Sequence, residues 1–113
     1  GSRGEAIHTL TFLGHPIGCA AALAVLDRLE RGLCDAVTDR GRALEAALPP
    51  LRGAGLMRAV PVPRGGALRA SRALLQRGFL VLPADDASLQ LTPPVTLSDA
   101  QIAAFAAALV EVA

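Results

Sequence analysis

Gly78-Phe79-Leu80-Val81-Leu82-Pro83-Ala84-Asp85-Asp86-Ala87-Ser88-Leu89-Gln90-Leu91-Thr92-Pro93-Pro94 is the stretch that decides the fold class. Residues 79–82 are a short β-prone run closed by proline. Residues 84–87 have turn composition, and 88–92 alternate with Leu89 and Leu91 on one side. Two such runs around a short turn predict a hairpin, and Pro93-Pro94 end it because neither supplies a ladder donor. Working upstream, Gly78 is placed to close a helix in the left-handed conformation. Leu68, Ala70 or Ser71, Leu74 and Leu75 predict that helix over 67–77, with Arg69, Arg72 and Gln76 outward. Residues 56–62 read as another strand, with Leu56, Arg58, Val60 and Val62 on one face, set between turns at 52–55 and 63–66. Downstream, Ser98 and Gln101 have capping-box spacing. Ile102, Phe105, Ala106, Leu109 and Val110 then stripe a final helix.

The N-terminal half reads as helical. Pro16 suits the first position of a helix, where its missing N–H costs nothing. Ile17, Ala20, Ala21, Leu23, Ala24 and Leu26 carry the pattern on to about residue 30. Its first turns are apolar on nearly every side, which implies burial against something large, and Cys19 is expected there as a small buried thiol. Gly32 is either a break or a bend. A second helix over 33–48, carrying Leu33, Val37, Leu44 and Leu48, is stopped by Pro49-Pro50. The order helix, helix, strand, helix, strand, strand, helix predicts an α/β fold of the two-layer α+β kind, with a small sheet of about three strands covered by helices. The expected division is an N-terminal loop over 1–15, interdomain-type helices over 16–48 and a small α/β domain over 49–113. Gly1-Ser2 resembles a tag remnant.

Composition removes several function classes. At 113 residues and 52% hydrophobic the chain is sized for one packed core, and with three Phe and no Tyr or Trp that core must be aliphatic. Every one of the 11 basic residues is arginine, interleaved with ten carboxylates for a net charge of +1. Without a basic excess or an aromatic stacking platform, nucleic acid is not an expected partner. No apolar run is long enough to span a bilayer, and no signal peptide pattern is present. The two cysteines, Cys19 and Cys34, support neither a disulfide scaffold nor a metal site, and a cytoplasmic setting is expected. His8 and His15 read as loop residues rather than metal ligands. No nucleophile elbow, dinucleotide fingerprint or P-loop occurs.

A hydroxyl in a glycine-containing loop just before a helix is one way to hold a phosphate, and Thr11 occupies such a place; helix entry with no ligand is the other reading. Thr11-Phe12-Leu13-Gly14-His15-Pro16-Ile17-Gly18-Cys19-Ala20-Ala21-Ala22 resembles the Thr-Phe-x-Gly-Asn/His-Pro-x-x-Cys-Ala-Ala-Ala stretch of class III aminotransferases. These are fold-type I enzymes that include acetylornithine, ornithine and 4-aminobutyrate aminotransferases. Arg52-Gly53-Ala54-Gly55-Leu56-Met57 is similar to the family's Arg-Gly-x-Gly-Leu-Met, and Phe79-Leu80-Val81 to its Gly-Val-Leu-Val. Leu89-Gln90-Leu91-Thr92-Pro93-Pro94-Val95-Thr96-Leu97 is similar to its Leu-Arg-x-x-Pro-Pro-Leu-x-Ile. The blocks fall in order over residues 8–113.

The resemblance implies the C-terminal small domain of a pyridoxal 5'-phosphate (PLP) enzyme. Such an enzyme moves an amino group from an amine or amino acid to a 2-oxo acid and works as a homodimer. Thr11 matches the threonine that reaches the phosphate of the partner subunit's cofactor. Gln90 falls where many members place the arginine that clamps the substrate carboxylate. An amide lacks that charge and fork, so the parent takes a substrate without the carboxylate, binds it by another group, or has lost activity. The family's cofactor-anchoring lysine and ring-pairing aspartate belong to the large domain. With no lysine here, no catalytic residue, no metal and no bound cofactor are expected in this chain alone, which is expected to self-associate through its bare apolar helix. The alternative is a degenerate or stand-alone structural module, or one that binds anions through Thr11, His8 and the arginines.

Overall fold

The structure is a computed structural model that describes residues 11–112; Gly1-Ser2 and His8 lie outside the described residues. The chain divides into two units, Gly1–Leu33 and Cys34–Ala113.

In the first unit, helix α1 spans Pro16–Arg28. Pro16 takes its first position, and His15 caps it, its Nδ1 accepting the Gly18 N–H at 3.4 Å. A wide turn over Leu29–Leu33 follows, in which Gly32 adopts φ 95°. That left-handed angle ends the helix, so Gly32 is a break and not a bend. No α1 side chain is buried: Ile17 is 75% exposed and Leu23 66%. Cys19 is exposed as well, correcting the expectation of a buried thiol. A lone helix cannot cover its own side chains.

The second unit contains α2 (Cys34–Ala47), β1 (Arg52–Ala54), β2 (Met57–Pro61), α3 (Ala67–Gln76), β3 (Leu82–Pro83), β4 (Ser88–Leu91) and α4 (Asp99–Val112). The strands form one antiparallel sheet in the order β1-β2-β4-β3. Val60 lies opposite Leu89 and Arg58 opposite Leu91, so these four side chains share a face. Val60, Leu89 and Leu91 join Leu44 and Leu48, Ala67, Ala70 and Leu74, and Ile102, Phe105 and Leu109 in one buried core. On the other face Met57, Leu82 and Gln90 remain exposed. The two-layer expectation therefore holds, with four strands rather than about three.

The added strand is β1, within a segment expected to be only a turn. Gly55 holds φ 53° at the first loop position of the β1–β2 hairpin, a place open essentially to glycine alone. A Cβ on Gly53 would meet the Met57 carbonyl oxygen at 2.3 Å, and one on Gly41 would meet the Gly55 oxygen at 2.6 Å. The Arg-Gly-x-Gly-Leu-Met block is thus a hairpin pressed against α2 at Gly41. Arg58 locks it from beneath: its Nε donates to the Gly55 carbonyl at 2.8 Å, and its Nη1 to the Gly53 carbonyl at 2.9 Å and to Glu45 at 2.8 Å.

The run 79–82 pairs only through Leu82–Pro83. Its backbone is committed elsewhere. The Gly78 N–H donates to the Leu75 carbonyl at 3.0 Å and the Phe79 N–H to the Leu74 carbonyl at 2.9 Å, closing α3 with a Schellman cap. The Val81 carbonyl accepts the Ser71 hydroxyl at 2.6 Å. Two helix stripes also differ from expectation. In α3 the buried positions are Ala67, Ala70 and Leu74, leaving Leu68 and Leu75 exposed, because alanines let the helix approach the sheet closely. In α4 Ala108 and Val112 complete the stripe, and Val110 points outward, off the 3.6-residue period set by Ile102, Phe105 and Leu109. The capping box at Ser98 forms: the Gln101 N–H donates to Ser98 Oγ at 3.2 Å, and the Ser98 N–H to Gln101 Oε1 at 2.9 Å.

Candidate functional site

Thr11 opens the turn that leads into α1 and is exposed. Gly14 supplies the left-handed residue of that turn, with φ 75°, and the His15 N–H closes it on the Phe12 carbonyl at 3.1 Å. The His15 ring stands edge-on to Phe12, with centroids 6.1 Å apart. The start of the helix is largely satisfied from within: Pro16 has no N–H, and the Gly18 and Cys19 N–H groups both find acceptors on His15. The start of this helix therefore does not present a row of unpaired amides to an anion.

Gln90 belongs to the second unit. It sits at the centre of β4 on the open face, with Ala59 opposite on β2 and Leu82 on β3. Beside it runs a groove of about 510 Å³ whose wall includes Leu80, Leu82, Pro93, Pro94 and Phe105. The polar side chains on this wall are Gln90, Thr92 and Gln101, and Gln101 Oε1 is already engaged by Ser98. No residue lining the groove carries a charge. It can therefore hold an apolar body and one or two neutral hydrogen bonds, but it offers no counter-charge to a carboxylate.

Arg58 shares a strand face with Val60, as their alternation predicts, and the structure shows that face to be the buried one. It is the one arginine with a buried side chain among the described residues, and its bonds are structural. The Asp85 carboxyl is held below the ordinary carboxylate range. The Ser88 hydroxyl is the first cause, then the Ala87 N–H, which donates at 2.8 Å; partial desolvation opposes them, and Arg52 at 3.6 Å adds a smaller attraction. Ser88 Oγ is fully buried and completes no hydrogen bond of good geometry, so it acts on Asp85 as a nearby dipole. This cluster shapes the β3–β4 turn rather than a reaction centre. Among the described residues no three His, Cys, Asp or Glu side chains gather as metal ligands, and no helix is long and apolar enough to cross a membrane.

Comparison with known proteins agrees with the sequence blocks. The family described as Aminotransferase class-III matches residues 2–113. Acetylornithine aminotransferase of Streptomyces coelicolor is 36% identical over 112 residues, covering 90% of this chain and 28% of that protein. Ornithine aminotransferase of Bordetella pertussis is 36% identical over 105 residues, covering 84% of this chain and 26% of its own length. Among solved structures, a PLP-bound amine transaminase from an uncultivated Pseudomonas species superposes with a TM-score of 0.76 at 31% identity, over 92% of this chain and 28% of that one. The chain thus spans about a quarter of the length of these relatives. The glycine hairpin held by Arg58, the capped entry to α1 and the match over nearly every residue agree on one conclusion: the chain belongs to the class III aminotransferases.

Proposed function

We propose that this chain is the C-terminal small domain of a cytoplasmic, homodimeric, PLP-dependent aminotransferase that moves an amino group from an amine to a 2-oxo acid. In this reading residues 16–48 run from the large PLP-binding domain to the small domain, 49–113, with Leu44 and Leu48 of α2 packed into that domain's core. Thr11 donates to the phosphate of the partner subunit's cofactor. The chain cannot hold the whole cofactor by itself: with no lysine it has no side-chain amine to condense with the aldehyde, and one hydroxyl is a minor phosphate contact. The chain alone is therefore catalytically incomplete, and with α1 bare it self-associates.

The observation that carries the donor class is the uncharged groove beside Gln90. Where a carboxylate is to be bound, a guanidinium fork gives charge and geometry together; an amide among leucines and prolines favours a donor that has none. The test uses the full-length protein that contains this chain. Steady-state kcat/KM is compared for an arylalkyl amine and for an α-amino acid of similar size, with one 2-oxo acid acceptor. The amine is expected to win by about tenfold or more, the scale of one lost charged hydrogen bond. Gln90→Arg is expected to reverse the preference. No amino transfer from either donor would remove the enzyme reading, and an α-amino acid preference in the wild type would remove the amine assignment alone.

A further inference from the structure

The second unit contains eight arginines, and six of them each meet a carboxylate. Arg40 faces Asp99, Arg42 Asp39, Arg52 Asp85, Arg58 Glu45, Arg64 Asp86 and Arg77 Glu111. Arg69 and Arg72 are the exceptions: among the described residues neither has a carboxylate within 4.0 Å or donates a hydrogen bond. They are not scattered. Three positions apart on α3, they stand one turn from each other on the same side of the helix, and both line one open groove of about 440 Å³. Gln76 extends the row by another turn, and Leu68, Ala73 and Gly65 complete the wall. The Arg69 guanidinium folds back over the loop, its Nη2 lying 3.9 Å from where a Cβ on Gly66 would sit.

Two like charges one turn apart repel, and among the described residues no carboxylate within 4.0 Å offsets them, although every other arginine of this unit has one. Both arginines line the groove, and among the described residues neither guanidinium spends a donor on a protein acceptor. A tetrahedral dianion set between them could accept a pair of N–H bonds from each fork, with the Gln76 amide as a further donor. We propose that this groove binds a phosphate dianion, either free phosphate or the phosphoryl end of an organic monoester whose carbon portion lies on Leu68 and Ala73. This does not depend on the aminotransferase reading, and it uses neither Thr11 nor Gln90.

The test is a titration of the 113-residue chain with inorganic phosphate at ionic strength held constant by chloride, following the arginine Nε–H signals by NMR. Saturable shifts confined to Arg69 and Arg72 are expected, with those of Arg58 and Arg77 unmoved. Arg72→Gln should weaken binding about tenfold, the loss of one charge-assisted contact. Arg72→Lys, which keeps the charge and loses the fork, should weaken it less, and Arg42→Gln should leave it unchanged. Phenyl phosphate binding more tightly than phosphate would assign the site to a monoester, and equal affinity to free phosphate. Shifts that rise linearly without saturation, or equally in every exposed arginine, would overturn the proposal, as would full affinity in Arg72→Gln. A glutamate-rich peptide binding far more tightly than either phosphate would replace it with a protein partner.

Discussion

Arg58 shows how much one side chain can carry without touching chemistry. Its guanidinium is nearly buried, with three acceptors, two of them carbonyls of the glycine hairpin. Arg58→Ala leaves the Gly53 and Gly55 carbonyls and Glu45 without their donor and opens a cavity under the turn. A loss of about 3 kcal/mol is expected, the range for breaking a buried charged network. Urea unfolding checks it, and a loss inside the error of extrapolation would mean the network is solvated. Asp85 makes a pH-dependent contribution. Its folded pKa is depressed, so the stabilisation is fully present above the unfolded aspartate value of about 3.9 and is lost as pH falls through the lower folded value. Asp85→Asn should therefore be less stable than wild type at neutral pH, with the gap closing in acid. A gap constant between pH 7 and pH 2 would contradict the assigned cause. Neither role was legible in the sequence. Arg58 reads there as one member of an alternating face, and Asp85 as turn composition, because the partners that define each come from folding.

At the scale of elements, the sequence was most readable where local chemistry and tertiary packing ask for the same thing. The Ser98–Gln101 box, the Gly78 cap and the inward Leu89 and Leu91 all appear as expected. It misled where an element borrows its bonds from elsewhere. Residues 79–81 have strand composition, yet their polar backbone atoms serve α3. Residues 52–54 have turn composition, yet they pair with 57–59 as a hairpin strand, and α2 lies close against that hairpin at Gly41. That close approach can be tested. Gly41→Ala would gain up to about 1 kcal/mol of helix propensity, but its Cβ would sit 2.6 Å from a carbonyl that Arg58 holds in place. Neither backbone can yield without moving the other. The overpacking cost, about 1–3 kcal/mol with a buried backbone at the upper end, wins, and a net destabilisation of about 2 kcal/mol is expected. A Gly41→Ala variant with an unchanged or raised melting temperature would show that the hairpin moves away from α2 at little cost.

At the scale of the molecule the two units stand in opposite conditions. The Cys34–Ala113 unit closes its own core over four strands and three helices. In the first unit α1 leaves Ile17, Leu23, Val25 and Leu26 all more than half exposed. A helix with apolar residues on nearly every side is stable in water only when something covers it. The sequence announced that need through Ile17, Leu23 and the alanines between them, but it could not name the cover, since an apolar pattern on a helix carries no information about what packs on it. In the proposed enzyme the large domain is the cover. For the chain alone, a second copy is the one apolar surface always at hand, because contiguous bare patches of this size rarely persist on monomers. Sedimentation velocity should show a species heavier than the monomer that dissociates on dilution, and Leu23→Glu with Leu26→Glu should return it to a monomer without changing the unfolding of the Cys34–Ala113 core. The same pair of substitutions in the full-length protein should loosen the two domains and raise hydrogen exchange along α1. A wild-type chain that sediments as a clean monomer at high micromolar concentration would mean that α1 is not held as an exposed helix in solution, and the linking role assigned to it would fall with that.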